Sequence, residues 1–382
     1  MKLGMIGFGF RGAYMLRTLL QEESEVILAA VADVSPECAS KRIAAFNLGY
    51  SPRMYLDAAE MLQREELDGV IVSTRCNLHT RFAVMVLERG IPLFLEKPVS
   101  TTMEDLIELK EAGDKSLSPV VVSFPLRVTS IVQKAKEIVD SGELGKIENV
   151  NAFNDVPYGG VYYHGWYRDE DTTHGLFLQK ATHDFDVLNC LLPDKPVSIC
   201  AMSSKQIFKG DMPAGLRCDD CERKLTCTDG KYYTEKVRHD DVQGEWCCFA
   251  VDTGNEDSGS ALIKYDSGMH ASYSQNFFAR KKAARRGARL YGYRGTLEFD
   301  FYAGEKVRVY DHFSGNVTDY EAKSLGGGHG GGDNVLMRNF SEIVRGETDV
   351  SVSPLDAGIL SALMCLRARE SAQTERFCRI SF

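Results

Sequence analysis

The chain has 382 residues, long enough for two or three compact domains. It is 44% hydrophobic and 26% charged, which excludes a disordered, collagenous or coiled-coil chain. Asp and Glu outnumber Lys and Arg by 54 to 45, a formal net charge of −9, so no general electrostatic footprint for nucleic acid or an anionic membrane surface exists.

The N-terminus runs straight into a strand without a cleavable apolar leader, and no apolar run reaches bilayer length, so a cytoplasmic protein is expected. Residues 2–7 read as a strand and 13–21 as a helix. A continuous apolar run at 26–32 reads as a strand covered on both faces. A helix follows at 36–46, with Ser35 at the N-cap and Pro36 at the first helical position. Next come a helix at 56–64, a strand at 69–73, a helix at 80–89, a strand at 93–95, a helix at 103–112 and a strand at 120–124. This alternation predicts an α/β Rossmann domain, a doubly wound parallel sheet, over residues 1–125. The pattern then changes. After helices at 131–140 and 181–192, strands at 147–153, 197–202, 261–265, 269–275, 288–291, 296–301 and 307–310 show period-two alternation. An α+β domain with a large, mostly antiparallel sheet is expected over 126–382, for the substrate and for oligomerisation. Two closing helices, 334–345 and 355–371, are placed to pack back on the first domain.

Gly7-Phe8-Gly9-Phe10-Arg11-Gly12 is a G-x-G-x-x-G turn between the first strand and the first helix. Its glycines suit a tight turn, a close approach to pyrophosphate, and close helix–strand packing, with the helix N-terminus facing the anion. Asp33 ends the second strand, where a carboxylate accepts hydrogen bonds from a ribose and repels a 2′-phosphate. NAD is the expected cofactor. Arg11 and the Lys41-Arg42 pair leave NADP open.

Three further segments follow in order: Ser73-Thr74-Arg75-Cys76-Asn77-Leu78-His79, Glu96-Lys97-Pro98 and Leu144-Gly145-Lys146-Ile147. Together with Lys180-Ala181-Thr182-His183-Asp184-Phe185-Asp186, they resemble the Gfo/Idh/MocA family of NAD(P)-dependent oxidoreductases over nearly the whole chain. The resemblance implies that Thr74, Asn77 and His79 lie beside the cofactor and that Glu96 and Lys97 lie near the nicotinamide ribose. It implies that Lys97 and His183 are catalytic, that Arg127 approaches the nicotinamide end, and that Asp186 is a substrate-side acid. Inositol dehydrogenase-like members carry Asp four residues before the histidine, where this chain has Gln179. Lys180 is the adjacent charged group and joins the catalytic candidates. The residue types suit the chemistry, because oxidising a secondary alcohol needs a proton acceptor and a cation for the developing alkoxide.

Other features are weaker. Cys218-x2-Cys221-x5-Cys227 with Cys247-Cys248 could offer thiolates to a metal from a long charged insertion, but the irregular second half favours a loop with reduced thiols, and no metal is assigned. The glycine-rich stretch 326–332 carries His329, a candidate for reaching substrate. Trp166, clustered with His164, Tyr167 and Arg168, is a candidate for stacking on a sugar. The basic run 280–286 reads as a solvated turn. The leading function is NAD-dependent hydride transfer from a sugar or polyol. A redox-assisted glycosidase without net NADH production is the alternative, since such members of the family carry a stretch resembling Gly327-Gly328-His329-Gly330-Gly331. A cofactor-sensing regulator is the third reading. The resemblance also implies a homo-oligomer, a dimer or tetramer.

Overall fold

The computed structural model describes residues 1–23 and 25–382. Six parallel strands form the first sheet: β1 (Lys2–Ile6), β2 (Ile27–Ala32), β3 (Arg53–Tyr55), β4 (Gly69–Val72), β5 (Leu93–Leu95) and β6 (Val120–Val122), in the order β3-β2-β1-β4-β5-β6. The central strands are short and wholly apolar because helices cover both faces. Every residue of β4, β5 and β6 is buried. The strand order reverses between β1 and β4, which opens a crevice at the C-terminal ends of these strands.

Nine strands form the second sheet: β7 (Ile147–Asp155), β8 (Pro196–Ser204), β9 (Ser258–Tyr265), β10 (His270–Asn276), β11 (Arg285–Gly292), β12 (Gly295–Asp300), β13 (Lys306–Asp311), β14 (Val317–Glu321) and β15 (Cys378–Arg379). Their order is β14-β13-β12-β11-β7-β10-β9-β8-β15, and only the β7–β10 pair is parallel. Burial alternates along β9, β10 and β11, so one face is packed and the other open. The helix Thr182–Leu191 lies on the packed face, beside the last helix, Leu355–Thr374.

The helix Gly332–Val344 belongs structurally to the beginning of the chain. Its Leu336, Met337, Phe340 and Ile343 share a core with Met5, Leu16, Ile71 and Phe94. Gly69 is required there, because a Cβ would come within 2.7 Å of Val344 and 3.1 Å of Phe340. Three strands lacked a readable pattern and were not expected: β3, β14 and β15. Ser35 does take the N-cap position of the helix Pro36–Ala44, but its hydroxyl caps nothing. Its backbone N–H donates instead to Asp33 Oδ1 at 2.8 Å. The basic run 280–286 is only half a turn. Arg285 and Arg286 begin β11, and Arg286 is buried.

Candidate active site

The turn after β1 is built for close approach. Gly7 has φ +82°, and a Cβ there would strike the Ser73 carbonyl at 2.9 Å. At Gly12 a Cβ would meet Ser73 Oγ at 2.5 Å, while that hydroxyl donates to Gly7 O at 2.8 Å. Above Gly9 the space is open for 4 Å, and Phe10 beside it is fully exposed. This cradle fits a dinucleotide: no side chain caps the first turn of the helix Phe10–Glu22, so its N–H groups are available to an anion. Asp33 closes the other end. Its carboxylate accepts from Phe8 N at 2.7 Å as well as from Ser35, so it both shapes the turn and places negative charge at the strand end. Arg42 is nearby, donating to Phe8 O at 3.1 Å with its guanidinium over the Phe10 ring.

Arg11 serves a different purpose from the phosphate contact its position suggested. It turns inward, where Nε donates to Glu96 at 2.7 Å and Nη2 donates to Asp333 at 2.7 Å and to Ser123 at 3.0 Å. Burial opposes the charge on Arg11, but the two carboxylates outweigh it and hold the pKa above its ordinary value. Asp333 also accepts from His329 Nδ1 at 2.7 Å. Burial works against ionisation of Asp333, yet His329 and Arg11 lower its pKa to about 2. The glycine-rich loop makes this possible. His329 itself is left-handed (φ 49°, ψ 44°), as are Gly330 and Gly331. A Cβ on Gly328 would overlap the Tyr14 hydroxyl, and one on Gly332 would overlap the Pro125 carbonyl.

Lys97 follows β5, and its Nζ donates to the Gln179 carbonyl at 3.1 Å. Burial lowers its pKa to about 8 against the pull of Glu96. Gln179 and Lys180 lie in a π-helical turn, Phe177–Ala181, that runs into the helix bearing His183. Such turns are frequent at functional sites. Lys180 is pushed down to about 7 by burial and by the charges of Arg286 and Lys97. His183 is pushed well below 6.5 by burial and then by Lys97, Arg286 and His329, so it is neutral. Its Nδ1 is buried without a partner, and its ring centroid stands 6.3 Å from that of His329. Lys97, Lys180 and His329 thus stand close enough to His183 to act on its charge.

Other sequence candidates are tied up in the fold. Arg127 and Asp186 pair with each other, Nη2 to Oδ1 at 2.9 Å and Nε to Oδ2 at 3.1 Å, so each answers the other's charge. Burial raises Asp186 to about 7 against the pull of Arg127. His79 is buried with Nδ1 2.8 Å from the Pro98 carbonyl and Nε2 3.3 Å from that of Thr74, which clamps the two turns together. Thr74 is half-buried against Gly7, and Asn77 is exposed at the crevice rim. Trp166 offers no free face for a sugar. The Arg75 guanidinium lies 3.7 Å from its ring centroid, and Tyr167 stacks on it at 3.8 Å. The Gln179 amide donates to Thr173 O and lies against Cys76. All eleven cysteines are free thiols, and among the described residues no three His, Cys, Asp or Glu side chains are arranged to hold a metal.

Sequence reasoning missed the scaffold of the site. Asp184 is a buried hub that accepts from Arg286 Nε at 2.7 Å, Asn154 Nδ2 at 2.7 Å and the Tyr273 hydroxyl at 2.8 Å. It thereby ties the His183 helix to β11, β7 and β10. Glu256 caps the π-helical turn by accepting from Leu176 N and Phe177 N. Alternation along β11 was the available signal for Arg286, since its place matches the buried positions of Ala288 and Leu290.

Comparison with known proteins agrees with this geometry. The profile described as "Oxidoreductase family, NAD-binding Rossmann fold" matches residues 1–124, and the GFO/IDH/MocA C-terminal domain profile matches residues 132–298. Putative oxidoreductase YteT of Bacillus subtilis is 27% identical over 77% of this chain and 76% of its own length. Inositol 2-dehydrogenase 2 of Saccharopolyspora erythraea is 27% identical over 54% of this chain and 58% of its own. Among solved structures, levoglucosan dehydrogenase in complex with NADH superposes over 100% of this chain and 99% of its own, with a TM-score of 0.78 at 18% identity. At that identity the likeness concerns the fold. No helix among the described residues is long and apolar enough to cross a membrane. With both profiles matched and the glycine cradle in place, the chain belongs to the Gfo/Idh/MocA family of oxidoreductases, with an NAD-binding Rossmann domain.

Proposed function

We propose that the protein oxidises a secondary alcohol of a sugar or polyol, with Lys97 and His183 as the catalytic pair. The observation that carries this is the placement of an amine lowered to about 8 at the C-terminal end of β5, beside a neutral buried histidine and next to the glycine cradle. When bound, NAD supplies the hydride acceptor. Lys97 Nζ takes the hydroxyl proton as the carbon loses hydride, and its positive charge then faces the oxygen. His183 stays neutral and orients that hydroxyl. His329 is half-exposed and lies one ring away, which gives the proton a route to solvent, while Asp333 fixes its tautomer. The domain division at about residue 125, a homo-oligomeric assembly and a cytoplasmic location belong to the same reading.

The Asp33 carboxylate supports NAD over NADP. Asp33→Ala is expected to weaken NAD binding about tenfold, the size of one lost charged hydrogen bond, while NADP binding changes little. Calorimetric titration of both dinucleotides checks this. An unchanged ratio of the two affinities would remove Asp33 from the choice.

A redox-assisted glycosidase remains the second reading, favoured by the His329–Asp333 pair in the glycine-rich loop, which could protonate a leaving group. A screen of sugars, polyols and glycosides with NAD, read by absorbance and by product analysis, separates the two. Net NADH with free sugars or polyols supports the dehydrogenase, whereas cleavage of glycosides without net NADH overturns it. Cofactor binding with neither outcome would indicate a regulator.

A further inference from the structure

Every carboxylate around Lys97 and Lys180 already answers another cation. Asp184 is taken by Arg286 and Asp186 by Arg127. Glu96 and Asp333 share Arg11, and the charge left over on Glu96 faces Lys97. Lys180 is left over. Among the described residues its ammonium has no carboxylate or carbonyl partner. The groups facing it are Arg286 of β11, Lys97 after β5, His183 one helical turn on, and Asp184, which is already bonded to Arg286. A second observation points the same way. Arg286 is only 7% exposed, yet its Nη2 is buried without any acceptor. Buried guanidinium nitrogens and half-buried ammonium groups are normally satisfied, so this donor set is short of an anion.

We infer that the secondary alcohol oxidised here also bears a carboxylate, held by Lys180 in front of Arg286, so that the substrates are polyhydroxy acids of the aldonate or uronate class. This rests on the dehydrogenase reading above and narrows it. One ammonium and one unpartnered guanidinium nitrogen match the two oxygens of a carboxylate. Lys180 is then an anchor for substrate, and of the two lysines Lys97 accepts the proton.

The test uses the full chain and paired probes that share a carbon skeleton: gluconate against sorbitol, galactonate against galactitol, glucuronate against glucose, and galacturonate against galactose. Glucose 6-phosphate serves as the dianionic control. Two quantities are read, NADH formation with NAD and calorimetric Kd on NADH-loaded enzyme. At least one acid is expected to bind about ten- to hundredfold more tightly than its neutral partner, the range of a charge-assisted hydrogen bond. Lys180→Met should erase that ratio and Lys180→Arg should restore most of it. Neutral probes preferred with good NADH formation, or a ratio that survives in Lys180→Met, would overturn the carboxylate site and leave the dehydrogenase intact. Preference for glucose 6-phosphate would also overturn it. If none of the probes binds or is oxidised, the carboxylate site is overturned, while the dehydrogenase reading is decided by the wider screen of sugars, polyols and glycosides.

Discussion

Lys97→Ala is expected to lower turnover by about 10²–10⁴-fold, the usual contribution of a positioned acid–base group, with NAD affinity nearly unchanged. The pH profile gives the sharper reading. Burial holds the wild-type amine at about 8, so below that pH it is protonated and cannot accept the hydroxyl proton. Oxidation should therefore rise with pH through about 8, and the reverse reduction should fall over the same range. In the alanine variant the inflection should vanish. His183 titrates too low to produce it, because burial, and then Lys97, Arg286, His329 and Lys180, keep that ring neutral. His183→Ala should lower turnover by a similar factor while keeping the inflection near 8. Steady-state NADH formation across pH 6–10 measures all three proteins, and an inflection retained in Lys97→Ala would assign the base elsewhere.

The second large effect is on stability. Arg11→Met leaves Glu96 and Asp333 without their shared cation. Breaking a buried ion pair from one side destabilises by about 3–5 kcal/mol, and the lower part of that range applies because a third of the Arg11 side chain still reaches solvent. The sign with pH follows from Asp333. Its pKa is about 2 in the folded protein against 3.8 ordinarily, so its ionised form stabilises the wild type above about pH 4. That contribution is lost as pH falls from about 4 to about 2. In the variant, burial is opposed by His329 alone, so Asp333 titrates higher, and the stability gap between the two proteins should narrow as acid protonates it. Urea unfolding at pH 7 and pH 4.5 measures the gap. Equal stabilities at pH 7 would mean that water replaces the guanidinium at little loss.

The parallel sheet was legible because its chemistry is local. Strands covered on both faces must be continuous apolar runs, as β4, β5 and β6 are, and the glycine turn carries its own steric requirement at Gly7 and Gly12. Edge strands were not legible. β14 has four exposed residues in five and no apolar face, and β15 has only two residues, so neither has a period to read. Of the site, Lys97 and His183 could be found because they stand in recognisable sequence motifs. The partners of Arg11 could not, since Asp333 lies 322 residues away and Glu96 lies 85. The same is true of Arg127 and Asp186. Each looks like a ligand contact when read alone, and only the folded chain shows that they answer each other. Trp166 failed for a related reason: sequence shows an aromatic ring but not what covers its faces.

The contact between Arg11 and Asp333 also bears on how far this protein can be divided. Residue 11 belongs to the cofactor turn and residue 333 to a helix near the end of the chain, yet their ion pair and the Leu336–Phe340 core are shared property. Gly332 must pass so close to Pro125 that no larger residue fits. A fragment ending near residue 125 would keep every residue of the parallel sheet, but it would bare the apolar surface that Leu336, Met337 and Phe340 cover and strand Arg11 beside a lone Glu96. The cofactor half is therefore not a portable module. Grafting it onto another substrate half, or supplying it alone, means carrying residues 326–344 along with it, so recombination within such a chain has to exchange its two ends together.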